Sequence, residues 1–297
     1  MAISEPQLDT WSKQGSVTQS QATYATVRSC LEANDAPYAG RSKSIFLQGS
    51  YGNDTNIYAD SDVDVVIVTD SVFYHSSNDL SPEDKAAINA VMTGGGGYTY
   101  SQFKADVLSQ LTKKFGNAVK PGKKAILVQG DGSRRDTDVL PAVAHRRYTR
   151  FRSHADSQYY EGITFWTSDG VQIINYPKQH SANATAKHQA TKSRFKPTVR
   201  IFKNMRNAMI AKGYLAAGVA PSYFIEGMLY NVPTNLFGGT YADTCARVIN
   251  WLNVSDREKL ICANELHYLL RPNSKVCWEP ADFETYLTAV IKFWNAQ

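Results

Sequence analysis

The chain has 297 residues, 43% of them hydrophobic, which is enough for one two-lobed domain or two small domains that each bury a core. Its formal net charge of +5 suits an anionic ligand such as a nucleotide but does not by itself indicate nucleic-acid binding. Four scattered cysteines argue against a disulfide framework and a zinc site. The sequence shows no signal-peptide pattern and no apolar run of membrane-spanning length, so we expect a cytoplasmic protein without membrane contact.

Helices and short strands alternate in the first half of the chain. Spaced apolar residues from about Glu5 to Ala33 predict one or two helices ahead of the first strand. Short β-branched runs predict strands at 44–48, 63–68, 125–128 and 139–143 and a hairpin of 161–166 with 171–175. Helices are predicted between the strands at 80–92 and 101–115. Together these elements predict a mixed β-sheet.

The second half of the chain has a different pattern. From about Thr191 the strand signals stop, and helices are predicted at 198–212, 222–230, 241–252, 256–270 and 280–294. The stretch 175–190 is rich in Asn, Lys, His and Ser and is interpreted as the connection between two lobes. The expected fold is therefore α/β of the α+β type, with lobes over residues 1–185 and 186–297.

Two carboxylates, Asp62 and Asp64, lie at the start of a predicted strand. Because side chains alternate along a strand, both project to one face while Val63 and Val65 enter the core. Like charges held together are costly unless a cation neutralises them, and Mg²⁺ commonly binds between carboxylates and phosphates. An Asp-x-Asp on a strand is by itself more often surface charge, so this spacing alone only suggests a metal site.

A Gly49-Ser50 pair ends the preceding apolar strand. Glycine lets backbone N–H groups approach a triphosphate, and the serine hydroxyl adds a donor. Such a pair is by itself most often an ordinary turn. The occurrence of this turn just ahead of the two carboxylates favours a functional interpretation of both.

This combination resembles the nucleotidyltransferase pattern of the polymerase-β-like superfamily, in which a Gly-Ser turn precedes Asp-hydrophobic-Asp and a third carboxylate lies on a later strand. The resemblance implies Asp138 as that third carboxylate, because an apolar strand with Pro141-Ala142 follows it directly. Asp136 shares its face and is the alternative. The implied fold is a nucleotidyltransferase lobe with a mixed sheet plus a C-terminal helical lobe, with the active site in the cleft between them.

More closely, the chain resembles the cGAS/DncV-like nucleotidyltransferases, bacterial synthases of cyclic oligonucleotide signals. The similarity covers most of the chain and rests on residues 48–57, 62–66, 145–148, 165–170, 176–178, 199–206 and 221–224. It implies an N-terminal helix and core lobe over 1–185 and an OAS-like helical lobe over 186–297. It also implies two Mg²⁺ ions, replaceable by Mn²⁺, at a catalytic and metal-binding set that comprises Asp62, Asp64 and Asp138.

The same resemblance implies the residues that bind the nucleotide. They are Gln48, Gly49 and Ser50 at the turn, Lys203 and Ser222 at the donor triphosphate, and Tyr223, which stacks on a base. Independently, Lys196, Arg200 and Lys203 recur at helical spacing beside an apolar stripe and form a basic stripe. A solvated helix face is the alternative for Lys196 and Arg200.

A run of four arginines follows the third carboxylate: Arg146, Arg147, Arg150 and Arg152, interleaved with Tyr148 and Phe151. It allows two interpretations, a nucleic-acid patch and an outward-facing strand edge, of which the edge is favoured. The sequence lacks the Cys/His zinc insertion with which the animal DNA-sensing relative binds duplex DNA. Activation by double-stranded DNA is therefore not expected.

The resemblance also implies the activity. It predicts an enzyme that makes a cyclic di- or oligonucleotide second messenger from nucleoside triphosphates such as ATP and UTP, for anti-phage signalling through a separate effector protein. Similarity to the pyrimidine-using branch implies a uridine-containing product such as cyclic UMP-AMP or cyclic di-UMP. The alternatives are a transferase that makes linear oligonucleotides or adenylylates a small molecule, and a non-catalytic nucleotide- or RNA-binding module. Three carboxylates without metals would repel phosphates, which argues against the module.

Overall fold

The structure is a computed structural model that describes residues 3–58, 62–92, 94 and 97–296. The chain forms two compact units, each assembled from separate stretches of sequence. The sheet unit comprises Thr18–Gln48 and Asp62–Pro177, and the helical unit comprises Met1–Val17, Gly49–Ser61 and Lys178–Gln297. This division differs from a simple split at 185/186, because two N-terminal segments group with the C-terminal helices.

The sheet unit is built on a seven-stranded mixed sheet. Its strands are β1 (Lys43–Leu47), β2 (Val63–Ser76), β3 (Val119–Pro121), β4 (Ile126–Val128), β5 (Thr137–Phe151), β6 (Ser157–Trp166) and β7 (Gln172–Asn175). The order runs β1-β2-β5-β4-β3, and β6 pairs with both β5 and β7. Strands β2 and β5 are parallel, and the other pairs are antiparallel. The predicted mixed sheet is confirmed.

The two central strands extend well beyond their predicted ends. A register shift between Thr69 and Phe73 lets β2 bend and continue beside β5. The far end of β5 places Tyr148 and Phe151 in a small core with Leu80 and Ile88. Sequence periodicity missed this extension because charged and apolar residues are mixed there.

The α-helices described in the sheet unit are α2 (Thr18–Leu31), α4 (Pro82–Val91) and α5 (Tyr100–Phe115). Ser81 caps α4 by accepting a hydrogen bond from the backbone N–H of Asp84, and Pro82 stands in the first turn. Thr99 and Gln102 form a capping box at the start of α5. These caps explain where the two predicted helices begin.

Three of the four arginines after the third carboxylate bind partners within the sheet unit. The Arg146 guanidinium lies 4.2 Å from the ring centroid of Phe73. Arg147 and Arg150 form ion pairs of 2.6 Å with Asp79 and 2.8 Å with Asp156. These contacts favour the strand-edge interpretation over a nucleic-acid patch.

The helical unit contains α1 (Glu5–Ser12), the four-residue α3 (Gly49–Gly52), α6 (Pro177–Ala190), α7 (Phe195–Ala211), α8 (Ser222–Tyr230), α9 (Tyr241–Val254) and α10 (Pro280–Ala296). Its core includes the predicted apolar stripe of α7, where Phe195, Val199, Phe202 and Met209 are fully buried. Burying such side chains contributes about 1.5–3 kcal/mol each. The described residues contain no helix long and apolar enough to cross a membrane.

The boundary between the two compact units falls after Pro177, inside the stretch 175–190 that is interpreted as the connection between the lobes. Most of this stretch forms helix α6, which the sequence did not predict and whose buried residues are His180 and Ala184. A helix with so little apolar surface leaves no periodic signal.

The predicted helix over 256–270 is instead a 3₁₀ turn at Arg257–Lys259 followed by isolated β-bridges. The Asn264 side chain accepts hydrogen bonds from the backbone N–H groups of Leu266 and His267. Glu265 adopts a φ of 59°, in the left-handed region. A side chain that bonds its own local backbone in this way competes with the helix.

Candidate active site

An acidic cluster lies where β2 and β5 begin. Asp64 and Asp138 are directly opposite one another in the parallel register, and Asp62 immediately precedes β2. One carboxylate oxygen from each of the three residues lies within 4.8 Å of the others. Asp62 is exposed, and Asp64 and Asp138 are half-buried. The structure thus brings together the three predicted carboxylates.

The alternation of the strands holds these side chains in place. Val63 and Val65 are fully buried on β2, and so are Thr137 and Val139 on β5. Because successive side chains point to opposite faces, anchoring the neighbours in the core turns the carboxylates to the other face. A shift of either strand by one residue would bury the charges, so the register is strongly specified.

The electrostatics of the cluster are unfavourable for bare carboxylates. Burial raises the pKa of Asp138, and the negative charges of Asp62 and Asp136 raise it further. Neighbouring like charges disfavour ionisation, and a divalent cation would reverse that effect. A donor set of carboxylate oxygens alone suits a hard cation such as Mg²⁺ or Mn²⁺. The residues therefore fit the implied metal.

Asp136, the alternative third carboxylate, has a different role. Its Oδ1 accepts a hydrogen bond of 2.7 Å from the backbone N–H of Gly130. Its carbonyl oxygen accepts one of 2.9 Å from the Val63 N–H, which aligns the starts of β2 and β5. Asp136 thus adds negative charge near the cluster while its carboxylate binds a loop.

Gln48 links the end of β1 to the strand of the acidic pair. Its backbone N–H donates a 3.0 Å hydrogen bond to the carbonyl oxygen of Asp64. Its side-chain Oε1 is buried and finds no hydrogen-bond partner in the described part of the chain. A buried acceptor without a donor is costly, and this oxygen is closed to solvent.

The Gly49-Ser50 turn begins the next segment of the chain, which belongs to the helical unit. Gly49 has a φ of +65°, in the left-handed region that glycine adopts without a steric penalty. The carbonyls of Gly49 and Ser50 accept hydrogen bonds from the backbone N–H groups of Asn53 (3.1 Å) and Thr55 (2.9 Å). The residues after the turn therefore fold back and hold it.

The basic stripe of α7 binds the segment that follows this turn. Lys196 Nζ lies 3.0 Å from the Asp54 carboxylate, and Arg200 Nη1 donates a 2.7 Å hydrogen bond to the Asp54 carbonyl. Lys203 Nζ donates a 2.9 Å hydrogen bond to the Thr55 carbonyl and is fully buried. The stripe is therefore not a solvated face, and direct contact of Lys203 with a phosphate would require its buried amine to become accessible.

Ser222 and Tyr223 occupy the first turn of α8, and both are half-buried. The Ser222 hydroxyl accepts a 3.2 Å hydrogen bond from Arg206 Nη1. The Tyr223 hydroxyl accepts one of 3.1 Å from Asn264 Nδ2, and its ring stacks on His180 at a centroid distance of 4.8 Å. These contacts hold the predicted base-stacking ring in one orientation.

Sequence reasoning missed a buried carboxylate one helical turn further on. Glu226 is 2% exposed, and its Oε2 lies 2.9 Å from Asn53 Nδ2 and 2.7 Å from His180 Nε2. The Thr55 hydroxyl donates to its other oxygen. A single acidic residue inside the otherwise apolar sequence of α8 was the signal available, since buried charges are rarely unpaired.

The environment of Glu226 favours its ionised form. Burial alone raises its pKa, but the hydrogen bond and charge of His180 lower it. The Thr55 hydroxyl and the Lys203 ammonium act in the same direction, so the pKa of Glu226 lies below its ordinary value. We call Asn53, Thr55, His180, Lys203 and Glu226 the Glu226 network.

Residues 182–295 match the family described as the cGAS/DncV-like nucleotidyltransferase C-terminal helical domain. The cyclic UMP-AMP synthase of Rhodothermus marinus is 40% identical over 266 residues, which cover 89% of this chain and 88% of that one. The cyclic dipurine nucleotide synthase of Elizabethkingia meningoseptica is 37% identical over 250 residues, or 84% of each chain.

Solved structures give the same result for the fold. The structure of the Rhodothermus marinus CdnE c-UMP-AMP synthase with Apcpp and Upnpp matches with a TM-score of 0.88 at 36% identity. This match covers 99% of the present chain and 97% of the other. The similarity therefore extends over both compact units.

Proposed function

Because the chain belongs to the cGAS/DncV-like nucleotidyltransferases, and is therefore an enzyme of that class, we propose that it converts nucleoside triphosphates into a cyclic di- or oligonucleotide. Family membership confirms the predicted polymerase-β-like lobe with a C-terminal helical domain. The observation that carries the proposal is the acidic cluster, since three converging carboxylate oxygens are what a nucleotidyl transfer site needs.

Asp62, Asp64 and Asp138 are the residues that would hold the metal, which we propose to be two Mg²⁺ ions, replaceable by Mn²⁺. When bound, such ions neutralise phosphate charge and lower the pKa of an attacking hydroxyl. The donor set supports this assignment because it is oxygen-only and because its charges repel one another.

Asp138 is proposed to hold the acceptor ribose hydroxyl and to take its proton. The hydroxyl oxygen then attacks the α-phosphorus of the donor, and the bond to the β-phosphate oxygen breaks as pyrophosphate leaves with the electron pair. A second transfer within the linear intermediate closes the ring and releases a second pyrophosphate. The position of Asp138 directly opposite Asp64 supports this division of roles.

The donor nucleotide is proposed to bind along the Gly49-Ser50 turn. The turn offers backbone N–H groups and a hydroxyl. Lys203 places a positive charge nearby, because its amine is bonded to the carbonyl of Thr55, a residue that also bonds the turn. Ser222 is the proposed further contact to the triphosphate, and Tyr223 is proposed to stack on a base. Gln48, the residue just before the turn, is proposed as a further contact to the nucleotide.

We further propose a uridine-containing product, such as cyclic UMP-AMP or cyclic di-UMP, made from ATP and UTP or from UTP alone. The similarity to a cyclic UMP-AMP synthase over nearly the whole chain supports this choice. The similarity to a dipurine synthase means that base identity has to be measured.

The proposed role is anti-phage signalling in the cytoplasm, with the product acting on a separate effector protein. This part of the proposal rests on the family resemblance, and duplex DNA is not expected as an activator. Adding double-stranded DNA to the turnover assay tests that expectation directly, because the rate should not change.

Product analysis tests the proposed reaction. Purified protein is incubated with Mg²⁺ and all four ribonucleoside triphosphates, treated with phosphatase and examined by mass spectrometry, beside an Asp62→Asn, Asp64→Asn variant. The proposal predicts a phosphatase-resistant uridine-containing cyclic species that the variant does not make. Pyrophosphate release without a resistant species would favour linear oligonucleotides, or adenylylation of a small molecule if an adduct is found.

A further inference from the structure

We propose that Glu226 is a positioning residue for the donor nucleotide, which sets the Gly49-Ser50 turn through Thr55 and the ring of Tyr223 through His180. This inference rests on the proposed function, because it requires that the turn and the ring contact the nucleotide. Glu226 itself would touch neither phosphate nor base, since it is 2% exposed.

The first connection runs from Glu226 to the turn through Thr55. The Thr55 hydroxyl donates to a Glu226 oxygen, and the backbone N–H of the same residue donates a 2.9 Å hydrogen bond to the Ser50 carbonyl. Asn53 repeats the arrangement, with its side chain 2.9 Å from Glu226 and its N–H 3.1 Å from the Gly49 carbonyl. Each residue of the turn is therefore held through one intermediate residue.

The second connection runs from Glu226 to Tyr223 through His180. Glu226 Oε2 lies 2.7 Å from His180 Nε2, and this hydrogen bond fixes the orientation of the imidazole ring. That imidazole stacks on the Tyr223 ring with an angle of 25° between the planes. Because one face of Tyr223 is covered by His180, a base can stack only on the other face.

The chemistry of the network requires a carboxylate and not merely a polar group. Asn53 and Thr55 both present donors to Glu226, and a carboxylate has only acceptors to offer them. A glutamine would place its N–H₂ group either against the Asn53 N–H₂ group, which is a donor, or against the Thr55 hydroxyl, which would then have to accept instead of donate. The buried Lys203, bonded to the Thr55 carbonyl 2.9 Å away, lowers the cost of the buried charge.

A purely structural role explains this arrangement less well. Buried ion pairs are seldom more stabilising than well-packed apolar groups, so stability alone does not require a charge inside the apolar helix α8. Both connections instead end at residues proposed to contact the nucleotide. Glu226 also lies three and four residues after Tyr223 and Ser222, which places all three on one side of α8.

A double-mutant cycle between Glu226 and Ser50 tests the inference, with binding of Apcpp in the presence of Mg²⁺ measured by calorimetry. Glu226→Gln and Ser50→Ala should each weaken binding by roughly 10-fold, the loss expected for one hydrogen bond to a charged group. The double variant should bind more tightly than the product of the two single losses predicts, because part of the effect of Glu226 passes through the Ser50 side chain.

Asn231→Ala is the matched control. It removes hydrogen bonds to Gly227 and Ile261 at the end of α8 and lowers stability without touching the turn. It should leave Apcpp affinity unchanged. If Glu226→Gln does not fold, Thr55→Val breaks the same connection from the other end and should show the same non-additivity with Ser50→Ala.

The outcomes separate this inference from the proposed function. Full additivity between positions 226 and 50, or unchanged Apcpp affinity in Glu226→Gln, would overturn the positioning role while wild-type binding and turnover stand. Absence of Apcpp binding to the wild-type protein would instead overturn the proposed function, and the inference with it.

Discussion

Carboxylates lie in opposite electrostatic environments in the acidic cluster of the sheet unit and in the Glu226 network of the helical unit. Three carboxylates converge in the cluster, and every influence on Asp138 raises its pKa. In the network a single carboxylate is buried, but its donors bring its pKa below the ordinary value. Negative charges thus surround Asp138 in the cluster, whereas hydrogen-bond donors and positive charge surround Glu226 in the network.

This difference indicates where the protein binds ligands. A buried charge that is fully compensated by the chain needs no external ion, and its removal leaves unpaired donors. Clustered like charges destabilise the fold until a cation arrives, so their removal should stabilise the metal-free protein. Removing carboxylate charge should therefore raise the stability of the metal-free protein at the cluster and lower it at the network.

The largest expected effect is on catalysis. Asp62→Asn with Asp64→Asn should reduce the rate of pyrophosphate release by roughly 10³-fold or more, because metal-assisted charge stabilisation provides several kcal/mol. The matched control is Asp35→Asn, which breaks the exposed ion pair with Lys113 and should leave the rate unchanged. A double variant that keeps more than about a tenth of the rate would exclude the cluster as the catalytic centre.

The second-largest expected effect is a loss of stability when the carboxylate of Glu226 is removed. Glu226→Ala should lower the free energy of unfolding by about 3–5 kcal/mol, because it leaves the donors of Asn53 and Thr55 buried without an acceptor. Urea denaturation measures this loss. Glu284→Ala, which breaks a partly exposed ion pair with Arg257 in the same unit, should cost less than about 1 kcal/mol. Equal losses in the two variants would mean that the network is not specially stabilising.

A pH series sharpens the comparison at the same residue. Because the pKa of Glu226 is lowered on folding, its ionised form stabilises the protein above the ordinary value of 4.5. That stabilisation should disappear as the pH falls through the lower pKa of the folded state. The stability difference between wild type and Glu226→Gln should shrink as the pH falls below 4.5. A difference that persists down to acid unfolding would contradict the ionised assignment.

The smallest effect is expected at the edge of the basic stripe. Lys196 is buried, but the side chain of its partner Asp54 is 63% exposed, so solvent screens this ion pair. Lys196→Met keeps the apolar stem and should cost about 1 kcal/mol or less. Thermal denaturation measures this loss of stability. Asp54→Asn, which removes the charge of the partner residue, is the control. A loss as large as that of Glu226→Ala would place Lys196 within the network.

The acidic pair could be predicted because its signal is local. Asp62, Val63 and Asp64 are adjacent, and the alternation of a strand alone determines their faces. Asp138 required the family resemblance, since its place beside Asp64 depends on the parallel pairing of β2 with β5. Long-range pairing of this kind leaves no trace in periodicity.

The Glu226 network could not be predicted for the same reason. His180 lies on a helix that was interpreted as a connection, and Asn53 and Thr55 are ordinary polar residues until α8 packs against them. Tertiary burial gives these side chains their importance. The apolar helices of the second half were mostly predictable, but the segment 256–270 was not, because Asn264 bonds its local backbone.

Thermal denaturation with and without Mg²⁺ tests the central claim most directly. We predict that Mg²⁺ raises the Tm of the wild-type protein, and that Asp62→Asn with Asp64→Asn is at least as stable without metal and gains nothing from it. A double variant that is less stable than wild type without metal, or that gains as much from Mg²⁺, would contradict the account of the acidic cluster.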